Sequence, residues 1–475
     1  MQFDSLTFIV FFTVIATVYW RIENWSHRKT LLLLASYVFY AAWNPLFLPL
    51  LLITSLLDWR LALFLDASQT DRHRRLFMLL IIGINLSVLG WFKYWNFFLD
   101  NLNALTNQFG LASLALKSDV ALPIGISFYT FHSLSYCIDI YRRKITAVRS
   151  ARDYFLYIAF FPQLVAGPII RWTTMGHQLQ EPRILKFDKV GIGLILMLVG
   201  LFQKIVVADR IFAPAANRLF ANAADLNGME SWLAASAFSG QIFADFAGYT
   251  TCALGAAMVL GFTLPINFKA PYAADGFSDF WRRWHISLSS WLRDYLYISL
   301  GGNRGGRWLT YRNLMLTMLL GGLWHGAAWT FVVWGALHGS FLILERMLLQ
   351  KEQWQDFLET GVGRYVYRLL TLLAVMLAWI YFRADSLEVA NSMIWTVLTD
   401  WASWLRWSEL ATAEAKLAAF TFGLMLIFQW RLRDWTLQEM IEKSPAWILG
   451  VVCGSMLAAI VLNPGDSNAF IYFQF

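Results

Sequence analysis

Charged residues are scarce in this chain. Only 15 % of its 475 residues are Asp, Glu, Lys or Arg, and 58 % are hydrophobic. Soluble domains carry about 25 % charge, so a soluble globular protein is excluded. Cysteine is scarcer still. Cys137, Cys252 and Cys453 stand far apart in apolar surroundings with no CxxC spacing. That excludes a disulfide framework and a zinc site, and no metal is expected. No GxSxG nucleophile elbow and no repeat of 20–50 residues occurs. The formal net charge is +7, but the basic residues sit in short loops between apolar runs. They read as topology determinants and not as a nucleic-acid surface.

Long apolar runs make up much of the chain, among them residues 6–20, 46–65, 76–91, 191–207 and 369–382. Each approaches the length needed to cross ~30 Å of hydrocarbon. The chain therefore reads as an all-α polytopic membrane protein with about 10–12 helices, some short or re-entrant. Residues 1–462 form one membrane-embedded domain, and residues 463–475 form an extracytoplasmic tail. The first run is followed by Arg21 without a small-residue cleavage site, so it is expected to stay as an anchor. Placing the basic loops in the cytoplasm puts both termini outside. Asn44-Pro45 splits one pair of runs, because proline disfavours helix in its predecessor. Pro162, Gly167 and Pro168 predict a second break, at a broken or re-entrant helix.

Ionisable residues inside apolar runs are functional candidates by default, since a charge at the membrane centre costs roughly 2.5–3.5 kcal/mol on insertion scales. Residues 275–338 hold the densest group. His285 lies between Trp284 and Ile286, and His325 between Trp324 and Gly326. The plain alternative for His325 is a helix-packing residue that hydrogen-bonds a neighbour. His132, Asp139 and Asp245 read first as satisfied polar contacts between helices, and Lys204 as a snorkelling interface residue. Arg282, Arg283, Arg293 and Arg304 alternate with Trp281, Trp284 and Trp291. This pattern suits an interfacial amphipathic helix. It equally suits an anionic cofactor, because arginine forks match phosphate and tryptophan faces stack on planar bases.

Seven stretches carry a resemblance: FKYWNFF at 92–98, LPIGISFYTF at 122–131, FFPQLVAGPIIR ending at Arg171, DFAGY at 245–249, LPINFKAPY at 264–272, FWRRWHISLSSWLRDYLYISLGGNR at 280–304, and GGLWHGAAWTFVVWGALHG at 321–339. Together they resemble the membrane-bound O-acyltransferase (MBOAT) superfamily, in the bacterial branch that acylates cell-surface polysaccharides. The resemblance implies a ring of tilted helices around a central tunnel, with His325 as catalytic histidine and His285 as the second functional one. Ala247 departs from the serine usual in relatives. The segment FIYFQF at 470–475 is similar to the end of a small partner protein of teichoic-acid D-alanylation. There a tyrosine is implicated as a transient acyl carrier, which singles out Tyr472. A polar tail ending in aromatics would otherwise read as a membrane-belt anchor.

The resemblance implies a membrane O-acetyltransferase of the bacterial inner membrane. The donor is expected to be cytoplasmic acetyl-CoA, with Arg282, Arg283, Trp284, Arg293 and Arg304 as its binding residues. The acceptor side is expected to use Tyr472 and a periplasmic SGNH-type O-acetyltransferase, which passes the acetyl group to peptidoglycan or an alginate-like polymer. The compact chain favours peptidoglycan. A lipid O-acyltransferase and a non-enzymatic exporter of small anions are the alternatives. Transporters tend to show paired broken helices in two related halves, which this sequence lacks.

Overall fold

The structure, a computed structural model, describes residues 1–475 except 112, 115, 118–120, 406–409, 464–469 and 472–475. Among the described residues every regular element is helical. Lipid leaves no water to satisfy an open backbone, so helices are the solution a chain this apolar can adopt without closing a barrel. Six helices among the described residues are long and apolar enough to cross a membrane: Pro45–Ala67, Asp71–Gln108, Phe187–Ala221, Gly228–Val259, Trp329–Leu348 and Gly361–Arg383. Leu6–Arg21 and Ala446–Leu462 are shorter apolar helices. The protein is a polytopic all-α membrane protein.

The chain divides into two units. The first holds residues 1–193 and 256–265. Its interior includes a polar group of three: Asp58 is buried and accepts from Asn85 Nδ2 at 2.8 and 3.0 Å and from the Ser133 hydroxyl. The break expected at Pro162 and Pro168 is present, between Ala151–Ala159, Phe161–Leu164 and Trp172–Gln180. Its freed carbonyls are covered by protein. Tyr157 Oη donates to the Ile170 carbonyl at 3.0 Å, and Gln163 Nε2 donates to that of Tyr157 at 2.7 Å. Arg74 lies in the helix Asp71–Leu89 and is buried, and its guanidinium donates to the carbonyls of Leu65 and Ile140 at 2.8 Å. It caps two helix ends, where a cation meets the negative pole of the helix dipole.

The second unit holds residues 194–255 and 266–475. Its helices approach closely where glycine permits it. A Cβ on Gly335 would lie 3.2 Å from Leu319 Cα, so the antiparallel helices Arg307–His325 and Trp329–Leu348 pack backbone to backbone. A Cβ on Gly248 would likewise lie 2.7 Å from the Gly200 carbonyl oxygen. Small residues are the usual means of such contacts in membranes, where no hydrophobic drive holds helices together. An Arg–Asp cluster closes the unit on one side. Asp275 pairs with Arg368 and Arg433, and Asp279 Oδ2 meets Arg283 Nε and Arg433 Nη2, each at 2.8 Å.

Candidate active site

His285 is placed by a break in the helix that the sequence suggested would run on. Phe277–Arg283 ends at Trp284, and Ile286–Trp291 starts anew, with His285 between them at φ +41° and ψ 54°. The left-handed region is uncommon for a non-glycine residue, and holding it costs roughly 1–3 kcal/mol. Asn267 holds it. Its carbonyl accepts from Ile286 N at 2.9 Å and its Oδ1 from Ser287 N at 3.2 Å. Lys269 N donates to the Arg283 carbonyl at 3.0 Å on the other side of the break. The segment 267–269 therefore clamps the backbone around the imidazole. The expected single interfacial helix is replaced by two short ones, because a buried histidine interrupts it.

His325 is the last residue of Arg307–His325. The helix stops there because Gly326 is extended, and a Cβ at that position would collide with the Phe331 ring. Ring centroids of Trp324, Trp334 and Phe382 lie 5.0, 5.1 and 5.2 Å from the His325 ring. The His285 ring lies 6.4 Å from His325 and meets Phe246 edge-on at 4.6 Å. Both histidines are buried, His285 completely. The two residues singled out from sequence thus share one buried aromatic cluster. A third histidine, His338, is buried beside it, 4.7 Å from Trp334 and 5.2 Å from Trp281.

The residues expected to bind the donor separate into two groups. Arg282, Arg293 and Arg304 are exposed. Arg293 Nε already engages Asp294 at 2.7 Å. Arg283 and Trp284 are not placed for an external anion or base. Arg283 is committed to Asp279 and to the carbonyls of Lys269 and Arg433, at 3.2 and 3.0 Å. Trp284 is completely buried, with Phe280 stacked at 5.7 Å and Trp379 at 4.9 Å. Arg283 ends its helix within the Arg–Asp cluster, and Trp284, the next residue, enters the core.

Lys204 also departs from its expected place. It does not snorkel. Its Nζ lies 2.7 Å from Asp245 Oδ1 and 3.0 Å from Asp209 Oδ1, all three side chains being nearly inaccessible. Tyr472 lies outside the described residues. Its two predecessors do not: Phe470 and Ile471 are buried at 2 % and 3 % exposure. The Phe470 ring lies 4.7 Å from Tyr249 and 5.7 Å from Phe246, the ring that abuts His285. Asn267, Phe246 and the Lys204–Asp245 pair were not legible as site residues. Asn267 and Phe246 were present in the sequence only within the motifs LPINFKAPY and DFAGY, and Lys204 and Asp245 only as separate ionisable residues in apolar runs.

Known protein sequences are similar to this one. The family model described as membrane-bound O-acyltransferase matches residues 47–382. A Pseudomonas putida protein named "Probable alginate O-acetylase AlgI" is 41 % identical over 91 % of this chain and 88 % of its own. A Helicobacter pylori peptidoglycan O-acetyltransferase is 37 % identical over 78 % of this chain and 74 % of its own. A Streptococcus thermophilus teichoic acid D-alanyltransferase is 27 % identical over 48 % of this chain and 58 % of its own.

Proposed function

The chain belongs to the membrane-bound O-acyltransferase family, and from that premise we propose that it moves an acetyl group from cytoplasmic acetyl-CoA, at the His285–His325 pair, to Tyr472 of its own tail. Coenzyme A carries several phosphate charges and cannot enter hydrocarbon, whereas a bare acetyl group can pass. The chain sits in the bacterial inner membrane with both termini periplasmic, the exposed Arg282, Arg293 and Arg304 facing the donor.

In the step itself, neutral His325 accepts the proton of the attacking tyrosine hydroxyl while the C–O bond forms and the C–S bond breaks. The proton then passes to the departing thiolate of coenzyme A. An imidazole has pKa about 6.5 and a phenol about 10, so prior ionisation of the tyrosine is unfavourable by several kcal/mol. Proton removal concerted with attack avoids that cost and is typically worth about 10²–10⁴-fold. His285 polarises the thioester carbonyl. The product is an aryl ester, whose phenolate is a good leaving group. A periplasmic SGNH-type enzyme takes the acetyl group onto serine and then onto a polysaccharide hydroxyl.

The observation that supports this reading is the burial of Phe470 and Ile471, with Phe470 packed on Phe246, the ring that abuts His285. A belt anchor would lay its aromatics toward lipid. For the final acceptor, alginate-like polymers are the better choice. The chain spans 88 % of an alginate relative's length, so its compactness does not argue for peptidoglycan. The test is purified protein with radiolabelled acetyl-CoA. Label enters the wild-type chain at Tyr472, and Tyr472→Phe stays unlabelled while its unfolding midpoint is unchanged. Normal labelling of that variant overturns the proposal.

A further inference from the structure

Asp245 lies in the membrane-spanning helix Gly228–Val259 and is 2 % exposed. A buried carboxylate is costly unless paired and hydrogen-bonded. The Lys204 ammonium pairs with it at 2.7 Å and with Asp209 at 3.0 Å. The chain end adds a hydrogen bond from 226 residues away: Ile471 N donates to Asp245 Oδ2 at 2.7 Å.

We propose that the Lys204–Asp245 pair is the receptor for the chain's own terminal segment, with Asp245 as a positioning residue that sets the register in which the carrier tail enters the core. This deepens the carrier reading above and rests on it for its role in acyl transfer. The donor is a main-chain N–H, so the contact fixes backbone register whatever side chain residue 471 bears. Selection comes from the neighbours. Phe470 fits between Tyr249 and Phe246, and Phe246 stands edge-on to His285 at 86°. Lys204 Nζ holds Oδ1 of the carboxylate at 2.7 Å, while Oδ2 meets the tail. A hydrogen bond to a charged group shifts an equilibrium by about 10–100-fold. That is enough to hold a segment in place and little enough to let an acylated tail leave for a second enzyme.

The test uses the full chain in lipid nanodiscs and follows amide hydrogen exchange of the carboxy-terminal peptide, with acetyl labelling of Tyr472 alongside. Ile471→Pro removes the N–H and leaves Lys204, Asp209 and Asp245 untouched; Ile471→Val keeps the N–H. Asp245→Asn removes the charge. We expect Asp245→Asn and Ile471→Pro to raise tail exchange by about tenfold or more and to slow labelling comparably, with Ile471→Val near wild type. Unchanged exchange in Ile471→Pro overturns the proposal, as does equal loss in Ile471→Val. Should Asp245→Asn not fold, Ile471→Pro decides alone. A wild-type tail that is protected and released as expected, yet never labelled, sinks the carrier reading and supports the receptor.

Discussion

The ring centroids of His285 and His325 lie 6.4 Å apart with their planes at 55°. One ring is carried on a left-handed backbone break and the other on a helix terminus. Neither is on a continuous helix interior, so their relative position depends on what holds each break.

Removing the His325 imidazole should stop the chemistry without unfolding the chain. His325→Ala is expected to lose about 10²–10⁴-fold in labelling rate, the range for a general base. Expression level and unfolding midpoint are read in parallel. A variant that labels at more than a tenth of the wild-type rate would remove His325 from the role of base.

The backbone state of His285 separates placement from chemistry. Asn tolerates φ near +41° and a β-branched residue does not. Both His285→Asn and His285→Val should lose acyl transfer. Only His285→Val should also lower stability, by roughly 1–3 kcal/mol, visible as an earlier thermal transition. Asn267→Ala should leave Ser287 N without its Oδ1 partner and reduce activity through His285.

Gly335→Val inserts atoms where a Cβ alone would sit 3.2 Å from Leu319 Cα. Overpacking of this kind costs about 1–3 kcal/mol, and here it pushes on the helix that ends in His325. Thermal midpoint and labelling rate should fall together. A midpoint equal to wild type would mean the helix pair is looser than described.

The exposed arginines and the ion-paired Arg283 should fail differently. Arg282→Gln, Arg293→Gln and Arg304→Gln are expected to raise the KM for acetyl-CoA by a fewfold, more at low salt than at high, since exposed charges are screened. Arg283→Gln should instead destabilise, because its donors hold Asp279 and two carbonyls. A large KM effect from Arg283 with normal stability would reverse this division.

The Arg–Asp cluster predicts acid sensitivity. Burial works to raise the Asp275 carboxyl, but hydrogen bonds from Arg368 and Arg433 outweigh it and hold it below the usual range. Asp279 is held low in the same sense, by the Asp275 N–H and Arg283 against burial. A carboxyl depressed in the folded state contributes stability above its unfolded pKa, about 3.9 for aspartate, and loses it as pH falls further. The thermal midpoint should therefore drop as pH falls below about 4, and the drop should be smaller in Asp275→Asn.

Much of this protein was readable from composition and local pattern. Long apolar runs, proline breaks and two histidines inside tryptophan-rich motifs determined the membrane class, the family and the leading candidates. These are properties of neighbours in the chain, which the backbone imposes without help from distant residues. Only the tertiary structure decided that Arg283 and Trp284 face inward, that Lys204 meets Asp245, and that Ile471 hydrogen-bonds the same carboxylate. Each of these joins partners far apart in sequence or depends on which helix face turns to the core. Several helices must pack before such a pairing exists, so no short stretch of sequence can carry its signal.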